Sequence, residues 1–580
     1  MLNKISNILE SKDLNKIKIL IFFTSLMFIL EFLSIGSIPI FMSILIAPDF
    51  LTNKLDQFQI QNLMFDFSDD KIIIFFSIFI ISVFTLKSFF LILLTIFQNR
   101  FLEQTKVKIS SKVFSHYIKM EYINHLEKEP AELTRKITQD ISMLGIYIQQ
   151  YLTLIREIMA LLVILFLVVW SSPKIVFFIV LILSTLMILY ITKIKKVLDE
   201  KSNLNKSLAK ENIKTINEIF GSIKDLKILM KEDEMINYFK SNIKKIENNL
   251  FFFQVVEKIP RVVVELLAVM VLTILTITFA TLYDDLNSFL PILALITLSV
   301  FRFIPAFSSI TTAKYYMQIS LPFLKSLENV FNEISSANNE NNQEVQSSMN
   351  ETKNHQVIDQ KFLRIQDLAF KYPGNKRSQF EDVNFEIKES SVVGIIGETG
   401  AGKSTLFNLL LGLLKPSNGR ILFKEKNIFD DLKEWKRKIG SVSQNIFVLD
   451  SSIENNIAFN INKERIDYQK LNMALKVAQL EKKIKELPLG LKTQVGNNGI
   501  KLSGGERQRL AISRVLYQNP EIIFLDESTN ALDVKTEEKI LEGIKNNYKE
   551  KTIIMIAHRQ SLIDYCDKIW RLENGRILNL

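Results

Sequence analysis

The chain has 580 residues, a formal net charge of +10 and a hydrophobic content of 48%. This length predicts more than one domain, the apolar content excludes general disorder, and the single cysteine, Cys566, excludes a disulfide-stabilised fold. The basic balance fits a nucleic-acid-binding protein or a membrane protein with basic cytoplasmic loops. Only 3 of the 18 glycines precede residue 360, so sharp turns and ligand-binding loops are expected in the last third.

Six mostly uncharged apolar runs occupy the first half of the chain. A helix needs about 20 residues to cross the hydrocarbon core of a bilayer. Buried helices of a soluble protein produce similar runs, but six of them in one region favour a membrane domain. The first run is too long for a signal peptide and lacks a small-residue cleavage site, so no cleaved leader is expected. The predicted spans are 19–47, 72–98, 152–170, 175–192, 261–283 and 286–310.

The charges around these spans predict their orientation. Lysines at positions 4, 12, 16 and 18 precede the first span, whereas segment 48–70 carries five aspartates against one lysine. Basic flanks remain on the cytoplasmic side of a membrane. We therefore expect a multi-pass protein of the cell inner (plasma) membrane, with the N-terminus and the last third of the chain in the cytoplasm.

Three further segments complete the domain organisation. Loops 99–151 and 193–260 carry many charges among apolar residues at helical spacing, which predicts helical extensions of the spans into the cytoplasm. Segment 331–360 is rich in Asn, Ser, Gln and Glu, which is typical of a linker. The expected domains are therefore a six-span membrane domain at 1–330, a linker at 331–360 and a second domain at 361–580.

A phosphate-binding motif opens the second domain. An apolar, strand-like run at 392–396 precedes it and an apolar helical run follows it, which is the context that a P-loop requires. Its glycines let backbone N–H groups wrap phosphates, and the helix N-terminus adds a favourable dipole. Lys403 would neutralise the β- and γ-phosphates, and Ser404 would ligate Mg²⁺. The motif reads Gly397, Glu398, Thr399, Gly400, Ala401, Gly402, Lys403, Ser404 and Thr405.

A second apolar run, 522–525, ends in two carboxylates. Four consecutive apolar residues are typical of a buried parallel strand. Asp526 could hold Mg²⁺ through water, and Glu527 could polarise the water that attacks a phosphoryl group. Solvated acids at a strand end would look the same, but the P-loop favours the catalytic interpretation.

The segment Leu502-Ser503-Gly504-Gly505-Glu506 lies between these motifs. With the P-loop before it and the acidic strand after it, the sequence resembles the ATPase domain of ABC transporters. The resemblance implies an α/β P-loop fold and Mg²⁺-dependent hydrolysis of ATP to ADP and phosphate. It also implies roles for an adenine-stacking Tyr372, a γ-phosphate-sensing and Mg²⁺-ligating Gln444, a D-loop Asp533 and a switch His558.

Singly, Tyr372 and His558 have ordinary structural explanations, as a core aromatic and a surface histidine, but their order along about 200 residues supports the resemblance. Two positions depart from it: Asn530 begins the D-loop where the family more usually has serine, and Asn497 stands where exporters of this family usually have glutamate.

The resemblance also implies a dimer of half-transporters. In the family, ATP lies between the P-loop of one subunit and the signature of the other, so Ser503 and Gly505 would act on the partner's nucleotide. A homodimer is expected, and a heterodimer is the alternative. An all-α exporter-type membrane domain would then alternate its access as cytoplasmic segments near 121–140 and around Glu218 dock on the ATPase domains.

Charged residues within the spans suggest the cargo. Lys87, Arg261 and Arg302 lie in or beside predicted spans, where charge is costly and indicates function. They would suit an anionic cargo, although pairing with Glu31, Glu157 or Glu265, or snorkelling, would also explain them.

The polar external segment 50–66 and the run 299–310 are similar to those of bacterial lipid-linked oligosaccharide flippases. That resemblance implies a polyprenyl-pyrophosphate glycan as cargo. Export of a lipid A-type lipid, a peptide or a drug-like amphiphile stays open, as do a non-transporting ABC ATPase and an ATP-gated channel. No nucleic-acid partner is expected.

Overall fold

The structure, a computed structural model, describes residues 5–46, 69–171, 175–282, 290–348, 362–375, 377–459, 466–527, 531–557, 559–573 and 575–579. The chain divides into two compact units. The first comprises Met1–Met120 and Lys128–Glu351, and the second comprises Glu121–Glu127 and Thr352–Leu580. The second unit therefore includes a short segment from the first half of the sequence.

The first unit is helical, and its six longest helices contain the six predicted spans as far as these are described. Residues 47, 283 and 286–289 of those spans, and the external segment 50–66, lie outside the described residues. The helices are α1 (Ser11–Ile46), α2 (Asp69–Lys119), α4 (Pro130–Arg135), a π-helical turn (Lys136–Asp140), α5 (Ile141–Ser171), α6 (Ile175–Gly221), α7 (Ile223–Leu229), α8 (Glu232–Leu282) and α9 (Leu290–Ser348). The short α3 (Tyr122–Glu127) belongs to the second unit.

The long helices carry apolar surface outward. On α2, Phe75, Ile81 and Phe97 are each about two-thirds exposed, which a water-soluble helix would avoid. Within the described residues, three stretches are long and apolar enough to cross a membrane, namely Ser11–Leu45, Asp70–Lys119 and Pro130–Leu167. The outward apolar faces fit contact with lipid.

A proline in α9 is compensated by α6. Pro322 has no N–H, so it cannot bond the carbonyl of Gln318 four residues earlier. Ser202 Oγ of α6 lies 3.3 Å from that carbonyl and donates to the Ile319 carbonyl at 2.8 Å. Lys206 Nζ donates to the Pro322 carbonyl at 3.0 Å. Side chains of α6 thus satisfy the backbone at the break and join the two helices.

The far end of α6 turns back through α7. Met230 ends α7 in the left-handed conformation, and its side chain is 86% exposed. Phe220 and Leu229 are also largely exposed. The segment around Glu218 that the sequence predicts as a docking tip therefore presents apolar side chains to solvent.

The second unit is built on two sheets. The smaller has the order β2-β1-β4-β5, and the larger has the order β10-β9-β3-β8-β7-β6. In the larger sheet every described pairing is parallel except that of β10 with β9. The strands are β1 (Leu363–Phe370), β2 (Phe380–Ile387), β3 (Val392–Ile396), β4 (Asn418–Phe423), β5 (Lys426–Asn427), β6 (Ile439–Val442), β7 (Ile522–Asp526), β8 (Thr552–Ile556), β9 (Lys568–Glu573) and β10 (Arg576–Asn579).

Helices cover these sheets and position the motifs. Phe407 and Phe524 meet with ring centroids 5.5 Å apart, so the helix after the P-loop packs on β7. Because β3 and β7 run parallel on either side of β8, their carboxyl ends lie at one edge of the sheet. The helices are α10 (Lys403–Leu410), α11 (Leu432–Lys438), α12 (Ile453–Ala458), α13 (Tyr468–Val477), α14 (Glu481–Glu486), α15 (Gly504–Gln518), α16 (Val534–Asn547) and α17 (Gln560–Ile563).

The second unit is completed by α3. Ile123 packs against the hydrophobic core that includes both sheets and α10. The fold is therefore an all-α membrane unit and an α/β unit, as the sequence predicts.

Candidate functional site

The P-loop lies at the carboxyl edge of the larger sheet. Gly400 and Gly402 have φ values of +88° and +99°, a region that favours glycine. A Cβ on Gly402 would lie 2.6 Å from Gln379 Nε2, whereas one on Gly400 would meet no atom within 4 Å. The loop is therefore packed on one side and open on the other, where phosphates would bind.

Lys403 occupies the centre of the loop. Its Nζ donates to the carbonyls of Gly397 and Glu398 at 2.8 and 2.9 Å. Burial lowers the pKa of Lys403, while the nearby charges of Glu527 and Asp526 oppose that shift. The lysine and the two carboxylates are thus close enough to interact, although they come from separate motifs.

Other residues predicted to bind the nucleotide lie in or beside the same loop as Lys403. Glu398, Thr399 and Ser404 are exposed, so their polar groups are available to a ligand. Tyr372 Oη lies 3.1 Å from Thr405 Oγ1, which places the predicted adenine-stacking ring beside the loop. Ala401 packs partly into the core beneath it.

Gln444 and Glu527 form the second half of the site. Gln444 Nε2 donates to Glu527 Oε2 at 2.7 Å. Glu527 has a φ of +48°, a strained conformation for a residue with a side chain, and such strain is common at active sites. Asp526 ends β7 one residue earlier. The hydroxyl of Ser404, the carboxylate of Asp526 and the side-chain oxygen of Gln444 are each oxygen donors of the kind that Mg²⁺ accepts.

The signature segment begins α15. Ser503 is its N-cap and exchanges hydrogen bonds with Glu506 in a capping box. A Cβ on Gly505 would lie 3.1 Å from the Ala531 carbonyl, so the signature and the D-loop pack closely. Within the described residues, no hydrogen bond or ion pair joins Ser503 or Gly505 to the P-loop of the same chain.

Two residues that the sequence did not single out hold the D-loop. Gln508 Oε1 accepts a hydrogen bond from the Ala531 N–H at 3.0 Å, and Arg559 Nη1 donates to the Leu532 carbonyl at 3.0 Å. Gln508 follows the signature, and Arg559 follows the predicted switch histidine. Their positions next to these motifs are the sequence feature that could have identified them.

Asp533, two residues after Ala531, caps α16 through Thr536. Hydrogen bonds from Thr536 lower its pKa. The predicted His558 and Asn530 lie outside the described residues. Asn497 begins a 3₁₀ turn.

A cavity of about 350 Å³ in the membrane unit collects charged side chains from four helices. Its lining includes the predicted Lys87 and Arg302 together with Glu31, Arg156 and Glu157. Three cations and two carboxylates leave a formal charge of +1. Arg261 is exposed on α8 and does not line this cavity.

These charges are paired with one another. Lys87 Nζ lies 2.8 Å from Glu31 Oε2, and Arg302 also pairs with Glu31. Glu157 lies 3.0 Å from Arg156 Nη2 and 3.5 Å from Arg302 Nη2. Pairing with Glu31 and Glu157, the alternative to cargo binding, is therefore present for Lys87 and Arg302.

Comparison with protein families matches both units. Residues 26–304 match the ABC transporter transmembrane region, and residues 380–530 match the ABC transporter domain. A bacterial Atm1-family ABC exporter with ATP bound has the same fold, with a TM-score of 0.74 over 96% of this chain and 94% of that chain at 19% identity.

Curated relatives match over a shorter region. The chain is 36% identical over 218 residues to an ATP-dependent lipid A-core flippase of Ralstonia nicotianae and 39% identical over 217 residues to one of Coxiella burnetii. It is 38% identical over 219 residues to the multidrug resistance-like ATP-binding protein MdlA of Buchnera aphidicola. The chain spans 37% of the length of each of these relatives, and the match covers 37% of the chain. With a transmembrane unit and an ATPase unit that both match the family, the chain belongs to the ABC transporters and has the exporter fold.

Proposed function

We propose that the protein is an ATP-hydrolysing exporter or flippase of the plasma membrane. The observation that carries this proposal is the convergence of Lys403, Asp526, Glu527 and Gln444 at one sheet edge in a chain that also contains a membrane unit. Phosphoryl transfer requires positioning and charge stabilisation more than covalent chemistry, and these four side chains provide both.

Each side chain has a distinct role in this proposal. Lys403 neutralises the β- and γ-phosphates, while Ser404, Asp526 and Gln444 would hold Mg²⁺, which would offset phosphate charge when bound. Glu527 polarises the attacking water, and the Gln444 amide fixes its carboxylate at 2.7 Å. We assign His558 to the γ-phosphate.

A second copy of the chain completes the nucleotide site in this proposal. The Ser503 hydroxyl and the Gly505 N–H are suited to a γ-phosphate, yet within the described residues neither residue bonds the P-loop of its own chain. A twofold pair would bring each signature to the other copy's loop. Mixing an Lys403→Ala chain with a Ser503→Arg chain tests this, because only a dimer of the two would regain one intact site. No recovered hydrolysis in the mixture would contradict it.

The proposed cargo is an amphiphile with a phosphate-bearing headgroup. The membrane cavity carries an excess positive charge, and phosphate oxygens accept charge-assisted hydrogen bonds from Lys and Arg. Relatives named lipid A-core flippases favour a glycolipid. A polyprenyl-pyrophosphate glycan and a lipid A-type lipid share this chemistry, and we favour the former.

Reconstitution into proteoliposomes tests the cargo. Three fluorescent lipids would be compared, namely a polyprenyl-pyrophosphate disaccharide, a lipid A-type lipid and a neutral glycolipid. ATP-dependent movement of either phosphorylated lipid, but not the neutral one, is expected. Equal movement of the neutral glycolipid would contradict the role of the charged cavity, and movement of the lipid A-type lipid alone would replace the pyrophosphate-linked glycan as cargo.

A further inference from the structure

A helical irregularity lies at the start of the α5 segment and has no role in the function proposed so far. Between α4 and α5 the chain forms a five-residue π-helical turn, Lys136–Asp140. The flanking residues Arg135 and Ile141 both have right-handed helical backbone, so the helix continues through the turn. Such turns close i→i+5 hydrogen bonds, are rare and occur often at functional sites.

A buried ion pair spans this turn. Arg135 donates to Asp140, and their side chains are 3% and 0% exposed. In an α-helix, residues five apart are rotated by about 140° and point to different faces. A π-turn places them one above the other. The ion pair and the π-helical conformation therefore depend on each other.

The ion pair is incompletely satisfied. Among the described residues, Arg135 Nε and Asp140 Oδ2 are buried and find no hydrogen-bond partner. From other helices, Ser326 Oγ of α9 lies 3.5 Å from Arg135 Nη2 and also interacts with Asp140, and the charge of Lys206 of α6 acts on Asp140. A buried pair with unsatisfied atoms is costly, so a second arrangement that opens it can lie close in free energy.

The turn sets the rotation of α5. One residue more or fewer in an α-helix changes the direction of the following side chains by about 100° and shifts them by about 1.5 Å. Further along α5, Arg156 and Glu157 line the charged cavity, where Glu157 meets Arg302. Rewinding the turn as α-helix would therefore move Arg156 and Glu157 away from Arg302.

The position of the turn in the chain suggests what drives it. The segment Glu121–Glu127 belongs to the ATPase unit, with Ile123 in contact with its core. The π-turn begins nine residues after that segment ends and leads directly into α5. Movement of the ATPase unit would therefore reach this turn through a short stretch of chain.

We propose that Arg135 and Asp140 are positioning residues for the cargo cavity. Their ion pair holds the π-turn, the turn sets the rotation of α5, and opening of the pair during the ATPase cycle rotates Arg156 and Glu157 out of the cavity. Arg156 then leaves together with Glu157, so the formal charge of the cavity stays at +1, but the anionic headgroup loses one of the three cationic donors that face it and is released. This inference rests on the proposed function, because it assumes a transported anionic cargo.

Deletion of Thr138 tests the proposal directly. Thr138 is exposed within the turn, and its removal leaves Arg135 and Asp140 four apart, a spacing that an α-helix holds. Helix α5 keeps its rotation but loses the turn that allows it to switch. We expect ATP-driven movement of the labelled lipid that the parent transports to fall at least about tenfold, with hydrolysis and lipid binding within about twofold of the parent.

Two further variants separate switching from stability. Thr138→Ala keeps the five-residue turn and should transport like the parent. Asp140→Asn should lose transport, and the exchange Arg135→Asp with Asp140→Arg should restore it by rebuilding the pair. Normal transport by the deletion variant, or no rescue by the exchange, would overturn the proposal.

Spin labels report the rotation independently of transport. The exposed Ser142 on α5 and Ser336 on α9 would be changed to Cys in a Cys566→Ser chain, diluted with an excess of unlabelled chain. When the ATPase cycle is trapped with vanadate, the parent should show a second distance between the two spin labels. The variant that lacks Thr138 should show no second distance. If the deletion variant fails to fold, an unchanged single distance in the parent refutes the switch. A parent that neither hydrolyses ATP nor moves lipid would instead refute the proposed function.

Discussion

The nucleotide site and the membrane cavity both bring lysine or arginine together with carboxylates, but they use them differently. At the sheet edge, Lys403 bonds backbone carbonyls while Asp526 and Glu527 lie near it, so its donors can be exchanged for phosphate oxygens without breaking an ion pair. In the cavity, Lys87 and Arg302 share Glu31 directly. The anionic cargo proposed above would therefore compete with a carboxylate of the protein, which favours weak, releasable binding.

The largest effect is expected from Glu527→Gln. The substitution keeps the shape of the side chain and its contact with Gln444 but removes the proposed base, so steady ATP hydrolysis should fall by about 100-fold or more while ATP binding persists. Phosphate release and nucleotide-binding assays measure the two. Glu538→Gln on the exposed face of α16 is the matched control. Undiminished hydrolysis in Glu527→Gln would remove the role assigned to this residue.

A smaller effect is expected in the cavity from Lys87→Ala combined with Arg302→Ala. Loss of both cations removes the excess charge, so lipid movement should fall by about tenfold or more, because each charge-assisted hydrogen bond contributes about 1.5–3 kcal/mol. Basal hydrolysis is measured alongside, since neither residue lies in the ATPase unit. Arg261→Ala, outside the cavity, should transport normally. Wild-type transport by the double variant would show that these charges are structural.

Gln508→Ala should have a modest effect confined to the ATPase unit. The side-chain amide anchors the D-loop through the Ala531 N–H, and its loss should lower the free energy of unfolding by about 1 kcal/mol. Thermal unfolding of the detergent-solubilised protein measures the loss. A decrease in hydrolysis without any loss of stability would indicate that the anchor acts on catalysis instead.

The smallest effect is expected at Cys566. Burial raises the pKa of this thiol to about 12, above its ordinary value, so the thiolate fraction at pH 8 is far lower in the folded chain than in the unfolded one. Maleimide labelling of Cys566 at pH 8 should be slow until the chain unfolds. Equal labelling rates for the folded and the unfolded chain would contradict the packing of Cys566 beneath Gly394.

The two sites also differ in how far the sequence predicts them. The P-loop, the acidic strand and the signature are contiguous motifs, and the parallel sheet brings the first two together by a general rule. The pairing of Glu31 with Lys87 and Arg302 depends on how α1, α2 and α9 pack, for which periodicity gives no register. The sequence alone groups Arg261 with these cations, but its position on α8 lies outside the cavity.

The π-turn has no sequence signal at all. An apolar and polar pattern read at 3.6 residues per turn cannot locate one extra residue here, because the helical segment before the turn, Pro130–Arg135, is too short to fix the phase of an apolar face. Only the structure shows that Arg135 and Asp140 meet. Likewise, Ser202 can bond the backbone carbonyl freed by Pro322 only because α6 lies beside α9, and the sequence does not show which helix lies there.

The inclusion of Glu121–Glu127 in the second unit affects any attempt to study the ATPase separately. A fragment that begins after the predicted linker, at residue 361, would lack Ile123 and leave uncovered the part of the core that Ile123 contacts. We expect such a fragment to be less soluble than one supplemented with a peptide of residues 118–130. The ATPase unit of this chain is thus assembled from two separate pieces of sequence, so no single cut separates it whole from the membrane unit.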